Sequence, residues 1–335
     1  MNLSRPWLLP FVPFYYLGSL FVKKMYDWCI WKSTAYKFPV ITVGNISVGG
    51  TGKSPFVAYL LSQFSSKYNL ATLSRGYGRT TKGFQLLKID HLANEVGDEP
   101  LQFKTNYPKV TVAVDADRRN GISRLKIEQP NLNAIILDDA FQHRKVKGGL
   151  QIVLTPYYKL YINDTLLPAG DLREPKSAAD RANIIVVTKC PLDISVEERF
   201  KITESLDVSK DQQLFFTGIQ YAKQVFGSSP ISLETFLTEQ FDLVTGIANP
   251  QPLIDFLRNR KANFKHHYFK DHHNFSKEEV YDLSTKNRIL TTEKDFMRLK
   301  NYKLLKGKLY YLPIQIVFLD AEKQFLEQVN YFLDS

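Results

Sequence analysis

The sequence predicts an α/β fold: a parallel-sheet domain, a second and smaller α/β domain, and a membrane-associated helix in front. Three observations predict it. Apolar strand-like runs alternate with helical segments, the pattern of a parallel sheet covered on both faces. That pattern starts again past residue 210. The chain has 335 residues, more than one ordinary core accommodates. The expected division is a helix within 1–35, a first domain over 36–212 and a smaller one over 213–335.

The N-terminus carries the helix. Pro6 to Val22, PWLLPFVPFYYLGSLFV, contains no charge, and the three tryptophans (Trp7, Trp28, Trp31) all fall in the first 31 residues. Pro6, Pro10 and Pro13 interrupt the run, and Lys23 and Lys24 end it. A spanning helix needs about 20 apolar residues, so this one does not span. No small-residue cleavage site follows it. Trp and Tyr prefer the headgroup level of a bilayer, and neighbouring Lys favours anionic lipid. An interfacial helix over roughly Phe14 to Trp31 is the reading; the alternative is a helix packed into the first core.

The first domain follows in order. FPVITVGN (38–45) reads as a buried strand, the loop NISVGGTGKSP follows, and SPFVAYLLSQFSS reads as a helix. NLATLS, KVTVAVDA, NAIILDDAFQ, LQIVLT and ANIIVVTK read as further strands, with a helix beginning near Asp98 and another containing Arg118 and Arg119. In the second domain QLFFTGIQY (213–221) and GKLYYLPIQIVF (307–318) are extended aromatic segments that pair as a stalk. Between them FDLVTGIAN, KHHYFKDHHNF and NRILTTEK each lead into a helix, one with a capping box at Ser276 and Glu279.

Composition narrows the function. With 44% hydrophobic and 23% charged residues the chain is globular rather than disordered. Two cysteines far apart, Cys29 and Cys190, make neither a disulfide framework nor a metal knuckle and fit a reducing cytosol. A net charge of +10 suits an anionic partner. Nucleic acid is not expected, because the aromatics gather at the N-terminus instead of interleaving with basic residues.

The loop carries the chemistry. The pattern G-x-x-x-x-G-K-[ST] is met except at its first position, held by Ser47. Strand, glycine-rich loop, Lys-Ser and helix agree on a P-loop NTPase-like domain that binds nucleotide through Ser47, Val48, Gly49, Gly50, Thr51, Gly52, Lys53 and Ser54. Lys53 is expected at the outer phosphates and Ser54 at Mg²⁺. The metal also needs a carboxylate, and Asp138, Asp139 and Glu99 are the candidates. Guanine switches carry [NT]-K-x-D, but VTKCP has Pro191 in place of the aspartate, which argues against a GTPase. Asp98 and Glu99 sit at a helix start, where the dipole favours carboxylates. Arg173, beside Glu174, could offset charge on a transferring phosphoryl group. Four of six histidines lie in KHHYFKDHHNF, but no Cys-rich or H-E-x-x-H frame supports zinc, and one of them supporting a general base is the better reading.

Taken together, VGNISVGGTGKSP, SRGYGR, VGDEP, LDDAFQHR, LLPAGDLREP, VTKC, TGIANP, FKDHHNF and TTEKD resemble, in order from about residue 38 to 298, the signatures of the tetraacyldisaccharide 4′-kinase (lipid A 4′-kinase) family. Ser47 in place of the first glycine is how this family writes its loop, so the departure supports the resemblance. The resemblance implies an enzyme on the cytoplasmic face of the Gram-negative inner membrane. It would use ATP and Mg²⁺ to phosphorylate the 4′-hydroxyl of an acylated disaccharide 1-phosphate, giving lipid IVA in lipid A (lipopolysaccharide) biosynthesis. It also implies two α/β/α domains joined by a two-stranded linker, a membrane-associated helix, and a monomer. Asp98 matches the base and His272 the histidine that supports it, with adjacent His273 leaving the ring open. Lys53 and Ser54 match phosphate and metal contacts; Asp138, Asp139, His143, Arg173 and Glu174 match further active-site positions. Closure of the two domains on ATP would bring His272 to Asp98. The competing readings are an ATPase acting on nucleic acid, a GTPase-like switch, and a soluble small-molecule kinase.

Overall fold

In the computed structural model residues 5–335 are described; the first four residues of the expected N-terminal segment lie outside them. The strands of the larger sheet, in chain order, are β1 (Val40–Gly44), β2 (Leu70–Ser74), β3 (Gln85–Leu86), β4 (Thr111–Val114), β5 (Ala134–Asp138), β6 (Leu150–Pro156), β7 (Ile184–Cys190) and β8 (Gln213–Tyr221). A smaller sheet takes β9 (Phe241–Thr245), β10 (Phe264–Tyr268), β11 (Ile289–Thr291) and β12 (Leu309–Tyr311), and β13 (Ile314–Phe318) returns to the larger one. The larger sheet has nine strands in the order β13-β8-β7-β6-β1-β5-β2-β4-β3. From β8 to β4 every pairing is parallel, and β13 and β3 are antiparallel edges. Central strands β1, β2 and β5 are buried throughout, as apolar strands covered on both faces must be.

The helix after the loop, Lys53–Phe64, buries Phe56, Val57, Leu60 and Leu61 against this sheet. The same core receives Phe325, Val329 and Leu333 from the last helix, Glu322–Asp334. Phe56, Phe215, Phe318 and Phe325 form its aromatic centre, with Phe318 and Phe325 ring centroids 4.8 Å apart.

The two aromatic segments do pair, Thr217 opposite Phe318 and Tyr221 opposite Ile314. They extend the larger sheet rather than stand alone: β8 also runs parallel to β7, with Phe215 in the core on one face and Phe216 in the core on the other. The segment 307–318 is not one strand. It breaks ahead of Ile314 at Pro313, which has no N–H to give a ladder, and its halves enter different sheets. Residues 213–221 and 314–334 thus lie in the layers of the larger sheet, and the smaller sheet is built from the residues between them.

That smaller sheet is wholly parallel, β10-β9-β11-β12. Leu243 and Val244 of β9 point into separate cores on its two faces. The capping box is formed: Ser276 Oγ accepts from Glu279 N at 3.2 Å, and Glu279 Oε2 accepts from Ser276 N at 2.7 Å.

The N-terminal helix spans Val12–Asp27 behind a 3-10 turn at Pro6–Phe11, so it begins and ends earlier than expected. Pro13 is tolerated because it stands in the first turn, where no N–H is needed. None of its residues is buried. It rests on the larger unit through polar contacts: Tyr15 donates to the Arg173 carbonyl at 2.9 Å, and Arg144 pairs with Asp27 at 2.8 Å. Trp7 and Phe14 remain 71% and 73% exposed, which is not how a core-packed helix sits. Among the described residues no helix is long and apolar enough to cross a membrane.

Candidate active site

The loop joins β1 to the helix Lys53–Phe64, so its residues lie at the carboxyl edge of the sheet, where parallel sheets bind ligands. Gly49 (φ +100°) and Gly52 (φ +92°) occupy backbone conformations that side chains rarely adopt, and they turn the chain towards the helix start. Asn45 braces the loop from below. Its amide donates to the Ser47 carbonyl at 2.7 Å, and its Oδ1 accepts from Lys53 at 3.2 Å and Arg173 at 2.5 Å. Ser47 is buried and bridges to Leu172, while Val48 N donates to the Asp171 carbonyl at 2.8 Å. The residue in the first-glycine position therefore ties the loop to the 171–173 segment.

Asn45, Thr188 and Lys189 escaped sequence reasoning as parts of the site. Thr188 Oγ1 donates to the Thr51 carbonyl at 2.7 Å and Lys189 Nζ to the Gly50 carbonyl at 2.6 Å. VTKC thus holds the loop from β7, two strands away from β1 in the sheet. The signal is the Thr-Lys pair at the carboxyl end of β7, on the edge of the sheet where the loop lies.

Two carboxylates stand beside the loop. β5 pairs with β1, Val43 opposite Asp138. Asp138 is buried and its Oδ1 has no partner. Burial, with the Asp139 and Glu99 charges, pushes its carboxyl up to about 7. Asp139 contacts Arg173 at 3.2 Å and Lys53 at 3.6 Å. Burial opposes its ionisation, but these two cations hold its carboxyl below the usual range. An orphaned buried carboxylate oxygen next to a phosphate loop fits a divalent cation, whose charge would reverse the upward push on Asp138. Mg²⁺ at such loops draws most ligands from phosphate and water, so few protein ligands suffice.

The second centre crosses between the two sheets. Asp98 opens the helix Asp98–Asn106, and His272 follows β10 in a left-handed conformation (φ +56°). His272 Nδ1 lies 2.9 Å from Asp98 Oδ2. His273 turns instead to Glu279, 2.8 Å away, so His272 is the ring at Asp98. The pair is already in contact in this arrangement of the two sheets. Arg298 reaches the same carboxylate, its Nε 3.0 Å from Oδ1 and its Nη2 against Oδ2. Burial alone would raise the Asp98 carboxyl; hydrogen bonds from His272 and Arg298 outweigh it and hold it down to about 2. The Asp98 hydrogen bond raises His272 above its ordinary value. Arg298 was missed because 200 positions separate it from Asp98.

The other expected residues are dispersed around these centres. Glu99 is ion-paired with Lys294, and this pairing, working against burial, holds its carboxyl low. Glu174 is ion-paired with Arg181 at 3.0 Å. His143 is half-buried with Nε2 unpartnered; burial and then the Arg118 charge keep it below its ordinary value. The other two histidines of KHHYFKDHHNF go to separate partners, His266 to Thr245 and His267 to Asp242. They do not converge, and no group of three potential metal-binding side chains occurs among the described residues.

The comparisons agree with this architecture. The chain is 46% identical to a protein of Flavobacterium johnsoniae named tetraacyldisaccharide 4′-kinase, covering 97% of this chain and 96% of that one. It is 44% identical to a protein of the same name from Flavobacterium psychrophilum, covering 100% and 98%. A crystal structure described as "apo" form LpxK from Aquifex aeolicus in complex with ATP superposes with a TM-score of 0.78 at 28% identity, covering 97% of this chain and 98% of that chain. The model of the tetraacyldisaccharide-1-P 4′-kinase family matches residues 4–333, essentially the whole chain, and the chain belongs to that family.

Proposed function

We propose that this protein is an ATP-dependent kinase that transfers the γ-phosphate of ATP to the 4′-hydroxyl of a tetraacyldisaccharide 1-phosphate, giving lipid IVA. The observation that carries this reading is that one chain holds both a phosphate loop after the first strand of the larger sheet and an Asp98–His272 pair formed between the two sheets. A sugar hydroxyl is a poor nucleophile, and Asp98 accepts its proton as transfer proceeds. His272 orients Asp98. Lys53 neutralises the outer phosphates and Arg173 offsets charge spreading over the transferring group. Ser54 and Asp138 would hold Mg²⁺, with Asp139 and Glu99 close by; the ion would supply charge neutralisation at the β- and γ-oxygens. His143 and Glu174 belong to the site in this reading through the family resemblance alone. The division into an N-terminal helix, a kinase domain and a smaller domain linked by two strands is part of the same reading.

The test is direct. Purified protein incubated with γ-labelled ATP, Mg²⁺ and the disaccharide 1-phosphate in detergent is expected to yield a doubly phosphorylated lipid. Absence of label in lipid, with ATP still hydrolysed, would reject the acceptor.

The exposed aromatic face of residues 6–31 supports work at a membrane surface, on a lipid whose acyl chains stay in the bilayer. The cytoplasmic face of the inner membrane and a monomeric enzyme are part of the same reading. Nucleic acid has no place in this reading. Protein lacking residues 1–33 is expected to lose most of its flotation with vesicles containing anionic lipid. Equal flotation of the two forms would remove the anchor from residues 1–33.

A further inference from the structure

We propose that Arg298 is a positioning residue for phosphoryl transfer, holding Asp98 and the backbone that carries His272 in one fixed arrangement. The inference rests on the reading of Asp98 as the base. Arg298 lies in the helix Glu293–Leu299, which follows β11 of the smaller sheet, whereas Asp98 belongs to the larger unit. Its side chain is only 7% exposed, so its guanidinium is not a mobile surface group.

One guanidinium makes all the relevant contacts. Nε and Nη2 grip the two oxygens of Asp98. Nη1 donates to Asp295 Oδ1 at 2.9 Å and to the Gly246 carbonyl at 3.2 Å. That carbonyl also accepts from the His272 backbone N–H at 3.2 Å. Asp295 is fully buried, and its Oδ2 accepts from Gly246 N at 2.9 Å and Thr292 Oγ1 at 2.7 Å. The fork therefore has a rigid base, and the His272 backbone is bonded to the same Gly246 carbonyl that the fork holds. Lysine has no planar fork to reproduce this.

The geometry also limits how substrate meets Asp98. A carboxylate offers about four lone-pair sites. Arg298 Nε takes one on Oδ1; Arg298 Nη2 and His272 Nδ1 take two on Oδ2. The free site lies on Oδ1, and the acceptor hydroxyl is directed there. Other links between the same two helices lack this connection. Lys294 pairs with Glu99, Asn106 with Glu293, and Lys300 with Thr105 at 3.0 Å; none touches Asp98.

The experiment compares full-length wild type, Arg298→Gln and Arg298→Lys in the lipid kinase assay, each also in an Asp98→Asn background. Arg298→Gln is expected to lower kcat about 10²-fold, as misplacement of a reacting group does, with KM for ATP unchanged. Arg298→Lys should recover part of kcat, again with KM for ATP unchanged. In the Asp98→Asn background Arg298→Gln should cost less than about two-fold, since coupled residues are not additive. Equal losses in both backgrounds, a rise in KM for ATP that accounts for the loss, or loss of a cooperative melt in both variants would overturn the proposal. A wild type that labels no lipid would instead reject the kinase reading on which it rests.

Discussion

Asp98→Asn is expected to lower lipid kinase turnover about 10³-fold, within the range general-base removal gives. Asparagine matches aspartate in shape but cannot take a proton from the acceptor hydroxyl. The low carboxyl value, about 2, does not argue against the role. It keeps Asp98 ionised throughout the neutral range, and a loose transfer transition state asks little of the base until late. The same substitution leaves Arg298, 7% exposed, facing a neutral amide. Breaking a buried pair costs about 3–5 kcal/mol, so a lower melting temperature should accompany the lost turnover.

The pH dependence of that stability follows from the sign of the shift. The folded carboxyl lies near 2, below the unfolded value of about 3.9. Its stabilisation is complete above the unfolded value and fades as the pH falls from about 4 towards 2. Wild type should lose this contribution across that window, and Asp98→Asn should lack it at every pH. Turnover within about ten-fold of wild type would remove Asp98 from the role of base.

Lys53→Ala should lower turnover about 10²–10³-fold, the usual effect of deleting one donor aimed at developing charge. KM for ATP should rise as well, because the ammonium meets phosphate before and during transfer. The fold should survive. Lys53 contacts Asp139 at 3.6 Å and Asn45 at 3.2 Å, and Arg173 still reaches both after its removal. Melting should therefore change far less than for Asp98→Asn. Nucleotide binding and turnover that both match wild type would mean that the loop does not use Lys53.

Much of the layout could be read from local pattern. The loop, its flanking strand and helix, and the central strands were visible because buried parallel strands are continuous apolar runs. The capping box at Ser276 and Glu279 was visible because it spans three positions. The smaller sheet's edges were harder. GKLYYLPIQIVF looks like one strand by composition, yet Pro313 divides it between two sheets. The N-terminal helix was placed approximately, but sequence could not say which of two surfaces its aromatics face.

The site divides in the same way. Lys53, Ser54 and the doublet Asp138–Asp139 follow from a short motif and a strand end. Asp98 and His272 follow from resemblance to a family, and only the fold separates His272, at Asp98, from His273, at Glu279. What the sequence by itself determined was the chemistry of each segment: a phosphate loop, carboxylates at a strand end and a helix start, an aromatic N-terminus, and the family to which these belong. Only the tertiary structure decided which segments meet. It brought Arg298 to Asp98 across 200 positions, sent His273 to Glu279, gave Glu99 to Lys294, and turned VTKC into a brace for the loop. The reason is physical. Local propensity and periodicity act over a few residues, whereas a buried ion pair forms only where packing of two sheets removes both partners from water and leaves each no other way to satisfy its charge.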